Sequence, residues 1–389
     1  MELSISNFGP IKEANINFGD LTFLIGPQAS GKSLSLELLK LIIDKSHIVS
    51  TLRNYNFNLS KTDAKNILDW YFGEGLSGLF REDTKIVLDN EAFSPQDLLN
   101  VISKQKASGQ RKESVFYVPA QRILSISEGR PRNFMEYDTS TPYVLRWFSE
   151  TLRVFMQGGM GNPDTIFPIK SRLKGAVKRS INDNIFHGGK VVFDKTGVQR
   201  NMKMEVAGMK IPFMAWSAGQ KEFMPLLLAI YCLSGPPTQV IDKNDYKLAI
   251  IEEPEMGLHP RAIQSVLLEI FELIQNGKRV VVSTHSTTFL EFVWAFNNLV
   301  DLSEEEFKIA MCEMFGISRN SNAAGLFDNL KEKTIKTFYS TKSYTKEGVT
   351  FSDISTLDAF NEDTDISEWG GLSTFSSRTS EIVSRYAEQ

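Results

Sequence analysis

The chain has 389 residues, 42% of them hydrophobic and 23% charged, a globular balance that can bury one large core or two smaller ones. Lys and Arg total 43 against 47 Asp and Glu, a net charge of −4, so overall charge excludes general nucleic-acid binding and leaves only local basic patches. The two cysteines, Cys232 and Cys312, lie far apart and the four histidines (His47, His187, His259, His285) do not cluster, which argues against a disulfide scaffold or a Cys/His metal site and fits a reducing cytoplasm.

Met1–Ile5 has no basic run followed by an apolar stretch, so no signal peptide is expected. The longest apolar stretch, Phe223–Leu233, is about half the length that spans a bilayer, and a soluble cytoplasmic protein with no membrane partner is predicted. Leu3, Ile5 and Phe8 alternate, and Ile11, Ala14, Ile16 and Phe18 resume after Gly9-Pro10, which predicts two short strands joined by a turn. Leu21–Ile25 reads as a buried strand that stops at Gly26. From Ser33 onward Leu34, Leu38, Leu41 and Ile42 recur at helical spacing.

Between that strand and that helix lies Gly26-Pro27-Gln28-Ala29-Ser30-Gly31-Lys32-Ser33, a full match to G-x-x-x-x-G-K-[ST]. The glycines let successive amides curl toward phosphate oxygens, and the helix directs its positive end at them. Lys32 is expected to reach the β- and γ-phosphates and the Ser33 hydroxyl to coordinate Mg2+.

Residues from about 45 to 112 read as mainly helical with few chemical signals. Val115–Val118 is a second buried strand, ended by Pro119. From about 130 to 209 the chain is mixed, with a helix expected around Tyr143–Phe155 and a hairpin over Lys190–Val206, punctuated by Gly158-Gly159 and Gly188-Gly189. A helix over Gly219–Leu233, a strand over Leu248–Ile251, a helix over Pro260–Gln275 and a strand over Val280–Val282 follow. Apolar strands alternating with helices predict an α/β fold whose mostly parallel sheet is covered on both faces. After Val300 the apolar pattern weakens, and Thr350–Thr379 is rich in Ser, Thr, Asp and Gly; no repeat or sustained heptad occurs.

Leu248–Ile251 runs straight into Glu252-Glu253. At the end of a buried strand in a phosphate-loop fold, the first carboxylate would address Mg2+ and the second would orient or deprotonate the attacking water. Pro254-Glu255-Met256-Gly257-Leu258-His259-Pro260 then turns the chain into the next helix.

Together these motifs resemble those of the ABC-type ATPases of the SMC-like and OLD-like group, which includes chromosome-maintenance, recombination-repair and anti-phage ATPases. Leu3–Phe8 is similar to the opening strand of that group and Gly26–Ser33 to its Walker A loop. Ile251–Glu255 with Leu258-His259-Pro260 is similar to its Walker B and D-loop, Glu252 standing where many ABC proteins have Asp. Ser217-Ala218-Gly219-Gln220 resembles the S-G-G-Q signature, with Ala218 for a glycine and Trp216 before the serine. Gln121, in Pro119-Ala120-Gln121-Arg122, resembles the Q-loop glutamine, and His285, in Ser283-Thr284-His285-Ser286, the switch histidine.

The resemblance covers about two-fifths of the chain and implies a P-loop NTPase of ABC type with a mixed or parallel sheet. It divides the chain into a core (1–45, 115–125 and 211–300), a helical insertion (46–114), a mixed α/β insertion acting as lid or arm (126–210) and a C-terminal extension of open role (301–389). It also implies ATP and Mg2+ as cofactors. Glu253 is expected to be the catalytic base and His285 to contact the γ-phosphate; Ser33, Gln121 and Glu252 are expected to address the metal and its waters. Gly26–Ser33, Gln121 and Ser217–Gln220 would bind nucleotide. Ser217 and the amides of Gly219 and Gln220 would serve the nucleotide of a second copy, making a head-to-head dimer with two composite sites. An effector nuclease or toxin is an expected partner, in anti-phage defence or DNA maintenance.

Two other readings stand beside this one. Some OLD-like proteins fuse the ATPase to a metal nuclease; the C-terminal part offers Asp358, Asp363 and Asp365, with Glu304-Glu305-Glu306 earlier, and Asp363-Thr364-Asp365 has the spacing but lies in a polar segment better read as a solvated loop. A non-hydrolysing, ATP-bound scaffold is the other. DNA or RNA contact would fall to Lys170, Arg172, Lys174, Lys178 and Arg179, or to Lys104, Lys106, Arg111 and Lys112.

Overall fold

The structure is a computed structural model that describes residues 1–60, 62–104, 112–160, 164–169, 172–194, 201–236, 238, 240–343 and 348–387. The sequence opens on three strands, β1 (Glu2–Phe8), β2 (Ile11–Asn17) and β3 (Leu21–Ile25), and the helix α1 (Lys32–Asn54) follows the phosphate-loop motif. Next come α2 (Lys65–Phe72), β4 (Phe80–Leu88), β5 (Glu91–Phe93), α3 (Pro95–Lys104) and β6 (Val115–Val118). Within the 46–114 segment, the strands β4 and β5 stand beside the helices and extend the sheet beyond β1, which the sequence reading did not expect.

The 126–210 region carries α4 (Tyr143–Val154), β7 (Thr165–Phe167), α5 (Gly175–Ile181), β8 (Lys190–Phe193) and β9 (Met202–Val206). With β10 (Met209–Pro212) its strands make a separate antiparallel sheet, and the expected hairpin pairs Lys190 with Glu205. Residues 195–200 of that hairpin lie outside the described residues. The second half of the core follows as α6 (Ala218–Ser234), β11 (Leu248–Glu252), α7 (Pro260–Gln275), β12 (Arg279–Ser283) and α8 (Thr287–Leu299). The chain then continues through α9 (Glu304–Met314), β13 (Ile335–Ser343), β14 (Gly348–Asp353) and α10 (Thr374–Ala387).

Ten strands form one mixed sheet in the order β5-β4-β1-β2-β14-β13-β3-β12-β11-β6. From β13 to β6 all neighbours except the β13–β14 pair are parallel. Leu21, Phe23, Ile25, Val280 and Val282 enter one apolar core, while Leu24, Val281, Leu248 and Ile250 enter the other, so alternate side chains feed the two faces of the sheet.

Residues 335–353 differ from the sequence reading, which sets them in a C-terminal extension. β13 pairs with β3, with Tyr339 opposite Ile25, and β14 pairs with β2, so both lie inside the core sheet. The reason is local chemistry: the inward positions of β13 include Thr337 and Ser340, both fully buried, so the strand has no continuous apolar run. No helix among the described residues is long and apolar enough to cross a membrane.

Candidate functional site

Parallel pairing brings the carboxyl ends of β3, β6, β11 and β12 to one edge of the sheet, where ligands of open α/β sheets bind. Register fixes the alignment, with Glu252 opposite Ser283 and Ser283 opposite Leu24. The loops carrying Lys32, Gln121, Glu253 and His285 all leave from this edge.

The phosphate loop is shaped by Gly26 at φ 143°, Ala29 at φ 58° and Gly31 at φ 79°. A Cβ on Gly26 would collide with the carbonyl and hydroxyl of Ser340 on β13. Ser340 Oγ lies 2.6 Å from Ser30 Oγ and donates to the Ile25 carbonyl at 3.1 Å. Strand β13 is thus a wall of the loop. Lys32 Nζ donates to the carbonyls of Gly26 (2.7 Å) and Pro27 (2.8 Å) and to Ser30 Oγ (3.3 Å). Burial lowers the Lys32 ammonium pKa, while the charges of Glu253, Glu252 and Glu255 pull it back up. The first amides of α1, at Lys32 and Ser33, have no intrahelical acceptor and face the loop's end of the helix. Pro27, Gln28 and Ala29 are exposed, and Ala29 also borders a cavity of about 680 Å3 lined by Asn7, Ile11, Lys12, Arg81, Asp83 and Lys342.

Glu252 ends β11 almost fully buried. The Ala120 amide donates to its Oε2 at 3.3 Å, whereas Oε1 is buried without a hydrogen-bond partner. Burial raises its carboxyl above the ordinary value against the Ser33 hydroxyl, the Ala120 amide and the Tyr117 phenol, which favour the anion. An orphaned carboxylate oxygen beside Ser33 is an oxygen-donor pair that fits a hard divalent cation such as Mg2+. Gln121 is exposed and directly follows Ala120, whose amide meets this carboxylate.

Glu253 adopts φ 41°, a left-handed conformation uncommon for a side chain of its kind. Its amide donates to Ser283 (2.8 Å), and its Oε1 lies 3.4 Å from His285 Nε2. The hydrogen bond from His285 outweighs burial and lowers the Glu253 pKa, with Lys32 and Arg122 adding to the effect. These contacts favour the anionic form of Glu253, and the Lys32 charge contributes to that.

Sequence reasoning assigned no role to Glu255, Arg122 or Ser340. Glu255 Oε1 accepts from Thr284 Oγ1 and from the His285 amide, both at 2.6 Å, tying the turn after β11 to the loop after β12. Arg122 is fully buried and donates to the carbonyls of Glu222, Glu252 and Glu253. A third acid in Glu252-Glu253-Pro254-Glu255 and an Arg directly after Gln121 were the legible hints; Ser340 carried none.

Ser217 is the N-cap of α6 and forms a capping box with Gln220: the Gln220 amide donates to Ser217 Oγ (3.3 Å) and the Ser217 amide to Gln220 Oε1 (3.2 Å). Gln220 Nε2 donates to the Ile185 carbonyl. The Gln220 amide, expected to meet a phosphate, is therefore already committed to the cap, and the amides of Ala218 and Gly219 are the helix-end donors it leaves. Ser217 and Ala218 are exposed. A Cβ on Gly219 would lie 2.5 Å from the Gly257 carbonyl, so the first turn of α6 rests on the turn after Glu253.

The basic runs fare differently. Arg172 is buried, donating to the carbonyls of Tyr231 and Gly159 at 3.0 Å each and lying over the Phe155 ring, which removes it from any nucleic-acid surface. Lys112 pairs with Asp245 at 2.6 Å. Lys106, Arg111 and Lys170 lie outside the described residues. Asp363 caps a short helix through the Asp365 amide, Asp358 accepts from Phe360, and among the described residues no group of three or more His, Cys, Asp or Glu could hold a metal.

Comparison with known proteins matches residues 1–119 to a family described as "AAA ATPase domain" and residues 164–291 to one described as "AAA domain, putative AbiEii toxin, Type IV TA system". A 55-residue stretch is 42% identical to the Old nuclease of Escherichia phage P2, spanning 14% of this chain and 9% of that protein. Among solved structures the chain is similar to the SMC head domain from Thermotoga maritima (12% identity, TM-score 0.37, covering 90% of this chain and 97% of that one). It is also similar to a dimeric bacterial ABC transporter cassette (12% identity, TM-score 0.34, covering 75% and 90%).

Proposed function

We propose that this chain, an ABC-type ATPase of the SMC-like and OLD-like group, binds ATP with Mg2+ at the Gly26–Ser33 loop, hydrolyses it with Glu253, and closes head-to-head with a second copy in doing so. The observation that carries the reading is the convergence at one sheet edge of a loop cation, an orphaned buried carboxylate oxygen and a histidine-bonded anion.

The loop amides and Lys32 would hold the β- and γ-phosphates. Ser33 and Glu252, with Gln121 beside them, would hold Mg2+, which when bound supplies charge neutralisation on the phosphate oxygens. Glu253, kept ionised by His285, would orient the attacking water and accept its proton. His285, 3.4 Å from that carboxylate, would hold it in register and face the γ-phosphate. The base and ribose would extend past Ala29 toward the cavity lined by Ile11 and Lys12. Ser217, exposed at the cap of α6, would serve the nucleotide of the second copy. The family description that names a toxin system supports a place beside an effector protein, which this reading sets in anti-phage defence or DNA maintenance.

Single-turnover phosphate release with Mg2+, run on wild type and Glu253→Gln, tests the reading. The variant should bind ATP as wild type does, release phosphate at least about 100-fold more slowly, the scale of one general base, and accumulate as a dimer. A wild type that binds ATP and releases no phosphate would be an ATP-bound scaffold instead.

A further inference from the structure

Arg122 has an unusual set of partners for a fully buried guanidinium. Its Nε donates to the Glu222 carbonyl on α6 at 3.0 Å. One Nη donates to the carbonyls of Glu252 (3.0 Å) and Glu253 (3.1 Å), and the other reaches Pro254 at 3.4 Å. The nearest carboxylate oxygen, on Glu222, is 4.0 Å from Nε and is itself buried without a hydrogen-bond partner. The side chain therefore spends its donors on backbone, which fixes positions and not charge.

These carbonyls belong to two elements with separate tasks. Glu222 sits one turn inside the helix whose end, with Ser217 and Ala218 exposed, would meet the partner's nucleotide. Glu252 and Glu253 carry the metal-facing oxygen and the hydrolytic carboxylate. Glu253 holds φ 41°, and the Arg122 contact to its carbonyl together with the Ser283 contact to its amide brackets that residue on both sides. Arg122 also follows Ala120 and Gln121, so one three-residue stretch touches the Glu252 carboxylate, its backbone and α6.

We infer that Arg122 is a positioning residue that couples α6 to Glu253: engagement of the signature by a second copy shifts or locks α6, and the guanidinium passes that constraint to the backbone of the hydrolytic carboxylate. The inference rests on the proposed ATPase reading and deepens it.

Arg122→Met keeps the volume and removes every donor, and Arg122→Lys restores some of them. Gly219→Ala leaves Arg122 intact and pushes α6 off the Gly257 carbonyl. Each is compared with wild type and Glu253→Gln for ATP affinity, ATP-driven dimerisation, single-turnover phosphate release and melting temperature. Coupling predicts ATP affinity within about threefold of wild type, a dimer that still forms, and phosphate release down by roughly 30-fold or more in Arg122→Met. Arg122→Lys should recover part of the rate, and Gly219→Ala should lose rate in parallel. Wild-type turnover per chain should rise with chain concentration, whereas that of Arg122→Met should stay flat although the dimer forms. Unchanged turnover in folded Arg122→Met, or equal loss of affinity, dimer and rate, overturns the coupling role. Should Arg122→Met not fold, Arg122→Lys and Gly219→Ala decide by the same measures. The ATPase reading fails separately, if wild type neither hydrolyses ATP nor dimerises with it.

Discussion

Lys32 shows how a site can be legible in sequence while its energetics are not. The motif placed an ammonium after Gly31, but only the folded loop shows it buried and held by the carbonyls of Gly26 and Pro27. Such a cation is poorly solvated and gains more from a phosphate than an exposed lysine would. Lys32→Ala should therefore lower ATP affinity by on the order of 100-fold, about 3 kcal/mol for lost charge-assisted bonds. Isothermal calorimetry with Mg2+ checks this, and unchanged affinity would remove the loop from nucleotide binding. Glu253 and His285 stand out in the sequence by their positions after strands, yet the φ of 41° and the 3.4 Å contact between them are products of tertiary structure. Arg122 and Glu255 stood in plain view inside quoted motifs, and their roles depend on which carbonyls and amides the fold brings within reach.

The strands that read clearly are those buried on both faces, because β3, β11 and β12 are continuous apolar runs. β13 and β4 did not read, one because the buried polar Thr337 and Ser340 interrupt its apolar Ile335 and Phe338 and the other because it lies near the sheet edge with exposed Arg81, Glu82 and Asp83. Ser340 offers a direct test of β13. Ser340→Ala removes the contacts to Ser30 and Ile25, worth roughly 1 kcal/mol, and should weaken ATP binding several-fold with little change in rate once saturated. Helix α7 carries a different signature, Glu269, which is fully buried with neither carboxylate oxygen partnered. Burial, and secondarily Glu272, raises its pKa well above the ordinary value. A raised carboxyl pKa means the folded state holds the proton longer, so stability is fullest below the unfolded pKa and falls as pH rises toward the folded one. Glu269→Gln should accordingly be near neutral at pH 5 and stabilising by roughly 1–3 kcal/mol at pH 8. Thermal melts across that range give the answer, and a gain that shrinks with rising pH would contradict the burial argument.

The proposed dimer brings in the whole chain, since the sheet edge holds the loop, both carboxylates and the histidine, whereas Ser217 caps a helix that meets them through Arg122 and the Gly257 turn. If Ser217 serves a second copy, Ser217→Arg should leave ATP binding at Lys32 nearly intact and stop hydrolysis, because a large cation at the exposed cap blocks approach. The substitution also removes the cap to Gln220, which costs about 1 kcal/mol, and sets a positive charge at a helix N-terminus. Ser217→Gly is the control, as glycine at an N-cap costs only a few tenths of a kcal/mol yet leaves the approach open. Mixing separates the models further. A heterodimer of Ser217→Arg with Lys32→Ala pairs the intact loop of the first chain with the intact signature of the second, completing one composite site. Phosphate release should return in part on mixing two chains that are each inactive alone, with cross-linking in ATP showing the mixed dimer. A mixed dimer that forms and stays inactive would mean that both sites must fire together. Normal hydrolysis by a monomeric Ser217→Arg chain would instead show that the signature serves its own nucleotide or none, and the composite site would fall.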